Sequence, residues 1–337
     1  MAVLIAKLGI TVDVFEKRSY TKTNHSDTSE KNCTSEFGSS ASAVKRSINL
    51  ALSYRGILGL QEVGILEKVL ENAIKMPRRV IHSIDKPEIE QFYGTKGDTL
   101  WSISRNTINQ LLLELMLDNE RIKVYFDHSL VHSDKEGNCT FQSQSSTFSR
   151  SYDLVIGADG AYSSVRDSLL RQGRINFSRQ YIAHGYKELS IPPRVTVRSP
   201  SSSEGQGAQT QLEYALERVE GLHIWPRGDF MLIALPNPDK SFTATLFAPY
   251  SGRDGFDSID PQDPSAVLAY FQRHFPDVVP LMPDLARDYR VNPVGSLVTI
   301  RTDPWYFGST VLIGDAAHAV VPFYGQGSVT MMSPHLI

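Results

Sequence analysis

Cysteine is scarce: Cys33 and Cys139 are the only two among 337 residues. Two thiols make neither a disulfide framework nor a metal cluster, and they fit a reducing compartment. No run of about 18 apolar residues occurs, so these residues encode no helix that crosses a membrane. Residues 1–8 are too short for a secretory leader and carry Lys7 on the wrong side of the apolar stretch. The charges nearly cancel, 34 Lys and Arg against 37 Asp and Glu, and a net charge of −3 leaves no footprint for nucleic acid. No internal repeat is visible. Gly9 is the only glycine before residue 16, so the Gly-x-Gly-x-x-Gly turn that cradles a dinucleotide pyrophosphate is absent. Nothing suggests nucleophilic, metal or phosphoryl-transfer chemistry.

What is present suits a soluble globular chain of two domains: 41% apolar and 21% charged residues over a length that can bury a large core. Residues 1–8 read as the second half of a helix with Gly9 at its C-terminal cap. Alternation of apolar and polar residues predicts strands over 10–16 and 122–126. Residues 56–74 keep a three/four spacing (Ile57, Leu60, Val63, Leu66, Val69, Leu70) that predicts one helix. Strands are expected over 79–83 and 88–93. Ser104 is placed to cap a helix with Ile108, Leu111, Leu112 and Leu115 on one face. Leu154-Val155-Ile156 reads as a buried strand, and Ser163 as the cap of the helix after it. Beyond residue 171 the texture turns to strands, at 182–191, 222–225, 230–235 and 242–247, with a helix after Pro264. Two polar stretches, 19–43 and 199–210, are expected to be a long loop and a segment without fixed structure.

The most informative run lies near the end. Val311-Leu312-Ile313 reads as a short buried strand that Gly314-Asp315 terminates, and Pro322, Gly325 and Gly327 follow. A strand, an acid and a glycine-punctuated turn suit a polyol and a flat ring: the carboxylate accepts from hydroxyls, and bare backbone N–H groups approach an anion or a ring edge.

This run, Gly314 to Gly327, resembles the second FAD motif of the flavin-dependent aromatic hydroxylases. Four further blocks agree in the same order with the members that hydroxylate L-kynurenine: Arg46 to Ser53, Tyr93-Gly94-Thr95-Lys96, Asp153 to Arg166, and His223-Ile224-Trp225-Pro226-Arg227. The resemblance implies an α/β fold in which an FAD/NAD(P)-binding Rossmann-like domain is interrupted by a substrate domain on a mixed sheet. Its pieces are expected at 1–75, with the loop at 19–43, then 101–170 and 292–327 for the FAD domain. The substrate domain takes 76–100 and 171–291, and residues 328–337 match nothing in the family. The family's first strand and Gly-rich turn are expected to be missing. The two readings of that pattern are an active enzyme truncated at both ends and a non-catalytic remnant.

The resemblance also implies roles. Glu16 accepts from the adenosine ribose, with Lys17 and Arg18 flanking the adenine or phosphates. Arg46 and Ala51 run along the flavin, Arg105 reaches the pyrophosphate, Leu130 touches the adenine side through its backbone, and Asp315 holds the ribityl chain. Asp159 is tied to the pyrophosphate region and to the pyridine nucleotide. Arg79 binds the substrate carboxylate and Tyr93 orients it. Arg78 and Arg79 are neighbours on a strand and point to opposite faces, so only one enters the site. Pro322, Phe323 and Tyr324 wall the ring; residues 230–235 with Phe247 either complete the pocket or fill the core. His318 is structural, because the hard chemistry belongs to the flavin.

The activity implied is hydroxylation of L-kynurenine to 3-hydroxykynurenine with FAD, NADPH and O2. A hydroxylase of another aromatic substrate is the alternative, and it would lack the Arg79–Tyr93 pair. Full-length animal members are anchored in the mitochondrial outer membrane by a C-terminal helix; residues 1–337 have no such anchor and alone are expected in the cytoplasm.

Overall fold

The computed structural model describes residues 1–20, 49–94, 97–198 and 209–321. Helix α1 (Ala2–Lys7) ends at Leu8, and Gly9 follows at φ 85°, the left-handed position expected of it. Strand β1 (Val12–Phe15) follows. Strand β2 (Asn49–Leu52) leads into α2 (Tyr54–Val63) and α3 (Leu66–Glu71). The single helix expected over 56–74 is therefore two. Gly64 at φ 88° closes α2 with its N–H on the Leu60 and Gln61 carbonyls, and a left-handed residue cannot continue a right-handed helix.

Next come β3 (Ile74–Met76), the hairpin β4 (Arg78–Ile81) and β5 (Ile89–Phe92), then β6 (Leu100–Ser104) and α4 (Arg105–Leu117). Ser104 precedes the first turn of α4, but its side chain makes no capping bond. Strand β7 (Ile122–Tyr125) pairs in parallel with β1. A meander of β8 (Ser129–Ser133), β9 (Asn138–Gln142) and β10 (Thr147–Ser151) precedes β11 (Val155–Gly157) and α5 (Ser164–Leu170). Here the expected cap forms: Ser163 accepts from the Arg166 N–H.

The second half is built on β12 (Asn176–Ile191), with the small ribbon β13 (Arg194–Arg198) and β14 (Gln209–Glu213), then β15 (Gly221–Arg227), β16 (Phe230–Pro236) and β17 (Phe242–Pro249). Residues 209 and 210, expected without structure, open β14. Helices α6 (Pro264–His274) and α7 (Leu285–Val291) follow, then β18 (Gly295–Asp303), β19 (Tyr306–Phe307), β20 (Thr310–Leu312) and α8 (Asp315–His318). Asp263 caps α6 on the Ser265 N–H, with Pro264 in the first turn.

The large sheet runs β18-β12-β17-β16-β15-β4-β5. Strand β18 pairs with β12 over residues 295–303, so this part of the 292–327 piece belongs to the substrate sheet and not to a flavin domain. Likewise, the sheet β2-β6-β3 runs across the boundaries expected at 75/76 and 100/101. One face of the large sheet carries the main core: Trp225, Leu232, Ala234, Phe242, Ala244 and Leu246 pack against Val267 and Phe271 of α6 and Leu285 and Tyr289 of α7. The other side of the molecule is thinner. Helix α1 buries Val3 and Ala6 against Ile122 of β7, and α5 buries Val165 and Leu169 against Leu312 and α8. Strands β11 and β20 pair in parallel. Among the described residues β1–β7 and β11-β20-β19 are separate sheets.

Candidate active site

The face of the large sheet opposite the main core is only partly covered, which leaves part of it open; Thr245 and Phe247 on it are buried. Strand alternation sorts the side chains. Ile224, Ile233, Thr245 and Glu188 stand in one cross-strand row, and Pro226, Met231, Phe247 and Tyr186 in the next. Leu222, Ile224, Met231, Ile233 and Tyr186 are only partly buried. The alternatives for residues 230–235 thus divide by parity: Phe230, Leu232 and Ala234 go to the core, Met231 and Ile233 to the open face beside Phe247.

Strand β4 enters this sheet parallel to β15, with Arg79 opposite Leu222 and Val80 opposite His223. Arg79 therefore shares the open face and is itself exposed. Arg78 faces the other way, where its guanidinium pairs with Glu90 at 2.6 Å and lies over Phe92. Tyr93 follows β5 on the Arg79 side, and the Arg79 guanidinium carbon sits 5.1 Å from its ring centroid. The Tyr93 hydroxyl is buried with no hydrogen bond among the described residues. Burial raises its pKa, and the approach of the Arg79 guanidinium, close to hydrogen-bonding reach though not aligned for a bond, pulls the other way together with its charge. A cation stacked on a phenol, both turned to an apolar face, can take a carboxylate and the polar end of an aromatic acid.

A second group assembles where β20 meets α8. Gly314, at φ 57°, turns the chain so that Asp315 starts α8. Burial raises the Asp315 carboxyl above its usual range, against the charges of Arg105 and His318. The same Arg105 charge acts on Tyr186 of the open face. Arg105, exposed at the start of α4, thus acts on both the carboxylate and the large sheet. Among the described residues the Asp315 carboxylate takes no hydrogen bond, which leaves a half-buried acceptor for hydroxyl donors. A ribityl chain beside Asp315 and a phosphate near Arg105 fit these residues.

Asp159 sits at the start of α5. Its carboxylate accepts from Ser163 Oγ and from the Ser164 and Val165 N–H groups at 2.7 and 3.1 Å. It serves as a cap for α5, so its acceptors are already engaged. Arg166, inside the same block but given no role by sequence, is fully buried. It donates to the Ala316 carbonyl at 2.9 Å and the Ala161 carbonyl at 2.8 Å, bracing the Asp159-Gly160 loop against the Asp315 helix. Sequence gives no signal for this, because an Arg in a first turn reads as solvated.

At the far end of β1, Glu16 accepts from the Arg18 N–H and from both sides of its guanidinium at 2.9–3.0 Å. Burial alone would raise its pKa, but the Arg18 hydrogen bonds and charge hold it below the usual range. Its carboxylate is held by Arg18, with Oε2 taking a single donor. Lys17 is exposed beside it. The Glu16 carbonyl receives the His128 N–H, which brings Leu130 close by in sequence; the Leu130 side chain packs on the α5–β20 cluster. Ala51 pairs with Ser102 in the sheet of β2 and β6. Arg46, Pro322, Phe323 and Tyr324 lie outside the described residues.

The fold is that of FAD-dependent monooxygenases. It superposes on the tetrameric form of 2-methyl-3-hydroxypyridine-5-carboxylic acid oxygenase with a TM-score of 0.69 at 21% identity, over 98% of this chain and 75% of the other. PqsL of Pseudomonas aeruginosa, a probable FAD-dependent monooxygenase, gives 0.67 at 14% identity, over 98% and 79%. By sequence the chain is a homologue of the kynurenine 3-monooxygenases, a family of enzymes. The Dictyostelium discoideum protein of that name is 40% identical over 329 residues, 97% of this chain and 64% of its own length. Those of Sus scrofa and Flavobacterium johnsoniae are 38% and 41% identical, over 97% and 84% of this chain and 62% and 60% of theirs. The chain thus spans less than two thirds of the length of these relatives. No protein-family model matches it. Among the described residues no helix is long and apolar enough to cross a membrane, and no cluster of His, Cys, Asp or Glu could hold a metal.

Proposed function

We propose that the protein to which these residues belong hydroxylates L-kynurenine: L-kynurenine, NADPH, a proton and O2 give 3-hydroxykynurenine, NADP⁺ and water. The observation that carries this reading is the Arg79–Tyr93 pair, stacked at 5.1 Å at the rim of an apolar sheet face. L-Kynurenine has a carboxylate at one end and an aryl ketone at the other. Arg79 binds the carboxylate, and Tyr93 supplies a phenol that orients it. Leu222, Ile224, Met231 and Ile233 remove the aryl ring from water. FAD, when bound and reduced by NADPH, supplies the oxygen-transfer chemistry with O2. Asp315 and Arg105 hold that cofactor, and the sheet face fixes the ring against it. The names of the relatives favour the same substrate. For the whole protein we infer a place at the mitochondrial outer membrane, which the family resemblance implies.

The test is a turnover assay on a protein carrying these residues, loaded with FAD. L-Kynurenine should stimulate NADPH oxidation and yield 3-hydroxykynurenine by mass. NADPH oxidation that ignores L-kynurenine but responds to another aromatic acid would move the reading to a sister activity. A protein that takes up no flavin under any loading condition would make it a non-catalytic relative.

A further inference from the structure

We infer that Arg218 is a positioning residue for the Arg79–Tyr93 pair: it latches strand β5 to the loop before β15 and so sets where both side chains stand. The inference rests on the role of that pair proposed above.

Strand β5 is poorly held by packing. It is the edge strand of the large sheet, bonded only to β4, and all four of its residues are exposed. Its apolar side chains contribute little: Ile89 is 52% and Phe92 63% exposed. An edge strand of this kind exchanges between paired and frayed states unless something else fixes it. Tyr93 directly follows it, held by one backbone bond from its N–H to the Pro77 carbonyl at 3.0 Å.

Arg218 supplies the missing restraint. Its backbone lies at φ 54°, a left-handed conformation that a long side chain rarely adopts and that persists only where surrounding contacts impose it. From there Nε donates to Glu90 Oε1 at 2.5 Å and a terminal nitrogen donates to Glu88 Oε2. One guanidinium thus holds the two carboxylates that bracket the start of β5. The remaining oxygens are used as well. Glu90 Oε2 takes Arg78 at 2.6 Å, and Glu88 Oε1 meets buried His82 Nδ1 at 3.2 Å.

Behind His82 the polar groups of the 223–227 block take up the load. His82 Nε2 and His223 Nδ1 are 2.9 Å apart, His82 stacks on Trp225 at 4.1 Å, and Arg227 donates to the His82 carbonyl at 3.0 Å. Every one of these contacts lies on the core side of the sheet or at its edge, away from the face of Arg79. Arg218 therefore acts through the hairpin and touches no substrate.

The test compares wild type with Arg218→Gln and Arg218→Gly. Hydrogen exchange is read at residues 89–93, with β16 and β17 as internal controls, beside the dissociation constants of L-kynurenine and FAD. Both variants are expected to speed exchange at 89–93 about tenfold and to weaken L-kynurenine by a similar factor, with FAD affinity and the controls unmoved. The glycine variant also relieves the backbone, so its melting temperature should not fall, which separates positioning from lost stability. Unchanged exchange at 89–93 in both variants overturns the latch. Faster exchange with unaltered L-kynurenine affinity overturns its positioning role. If the wild type binds no L-kynurenine, the functional reading fails separately, and the exchange at 89–93 alone decides the latch.

Discussion

Arg78 and Arg79 show how far one residue's position can be read from its neighbours. Alternation requires the two to face opposite ways, and the register of β4 on β15 assigns Arg79 to the open face. Removing it as Arg79→Ala should weaken L-kynurenine by about 1.5–3 kcal/mol, the usual worth of a hydrogen bond to a charged group. Arg78→Ala should weaken L-kynurenine by at most about 1 kcal/mol, because it breaks a half-exposed ion pair with Glu90 and a stack on exposed Phe92, both away from the Arg79 face. Equal losses in a titration would show that the faces are exchanged. Glu16 and Asp159 mark the limit of such reading. The residue type was legible, but the local donors that each carboxylate meets, Arg18 for Glu16 and the first turn of α5 for Asp159, are not reported by any spacing rule. The buried pair His82–His223 adds a pH dependence. Burial lowers both pKa values against the pull of Glu88 and Asp277 on His82, and His223 falls to about 3. His223 is neutral in the native state and His82 holds its proton less readily than usual, whereas in the unfolded chain both take protons near pH 6.5. The unfolded state then binds more protons, so stability should fall as pH drops below about 6.5. Urea midpoints at pH 7.5 and 5.5 would measure this, and His223→Gln should flatten the difference.

At the level of elements, half of the described strands and the helices α4, α5 and α6 are legible in the sequence, α4 by its periodicity, α5 by its cap Ser163 and α6 by Pro264. The break of the first long helix was legible in retrospect, since Gly64 sits between two runs whose spacing continues across it. What periodicity does not show is which elements brace each other. Arg166 ties α5 to α8 through two carbonyls, and Arg166→Met should cost about 3 kcal/mol or more by leaving both without a donor. Equilibrium unfolding would detect this, and a loss of under 0.5 kcal/mol would contradict the brace. Gly157 lies under the same helix. A Cβ there would stand 2.8 Å from Leu312 and 2.9 Å from Val165, so Gly157→Ala should destabilise by about 1–3 kcal/mol through overpacking.

On the scale of the whole molecule, the resemblance supplied the class of fold, but boundaries read from texture cut through sheets. Texture follows composition along the chain, whereas β18 joins β12 by pairing across more than a hundred residues, which composition cannot report. The large sheet with α6 and α7 holds the principal core, while β1–β7 and β11-β20-β19 are small and separate among the described residues. Amides of β16 and β17 should therefore exchange slowest, and those of β1 and β11 fastest among the strands; uniform protection would show a single cooperative unit. The place of β4 in the sheet has a further consequence, in time and not in space. His82 meets His223 across 141 positions of sequence, so the hairpin bearing Arg79 and Tyr93 has nothing to dock on until β15 exists. Local ribbons such as β16–β17 close first, because short loops cost little entropy, and the distant closure comes late. During synthesis this hairpin leaves the ribosome well before its partner strand, and recovery of L-kynurenine binding should trail the main refolding phase.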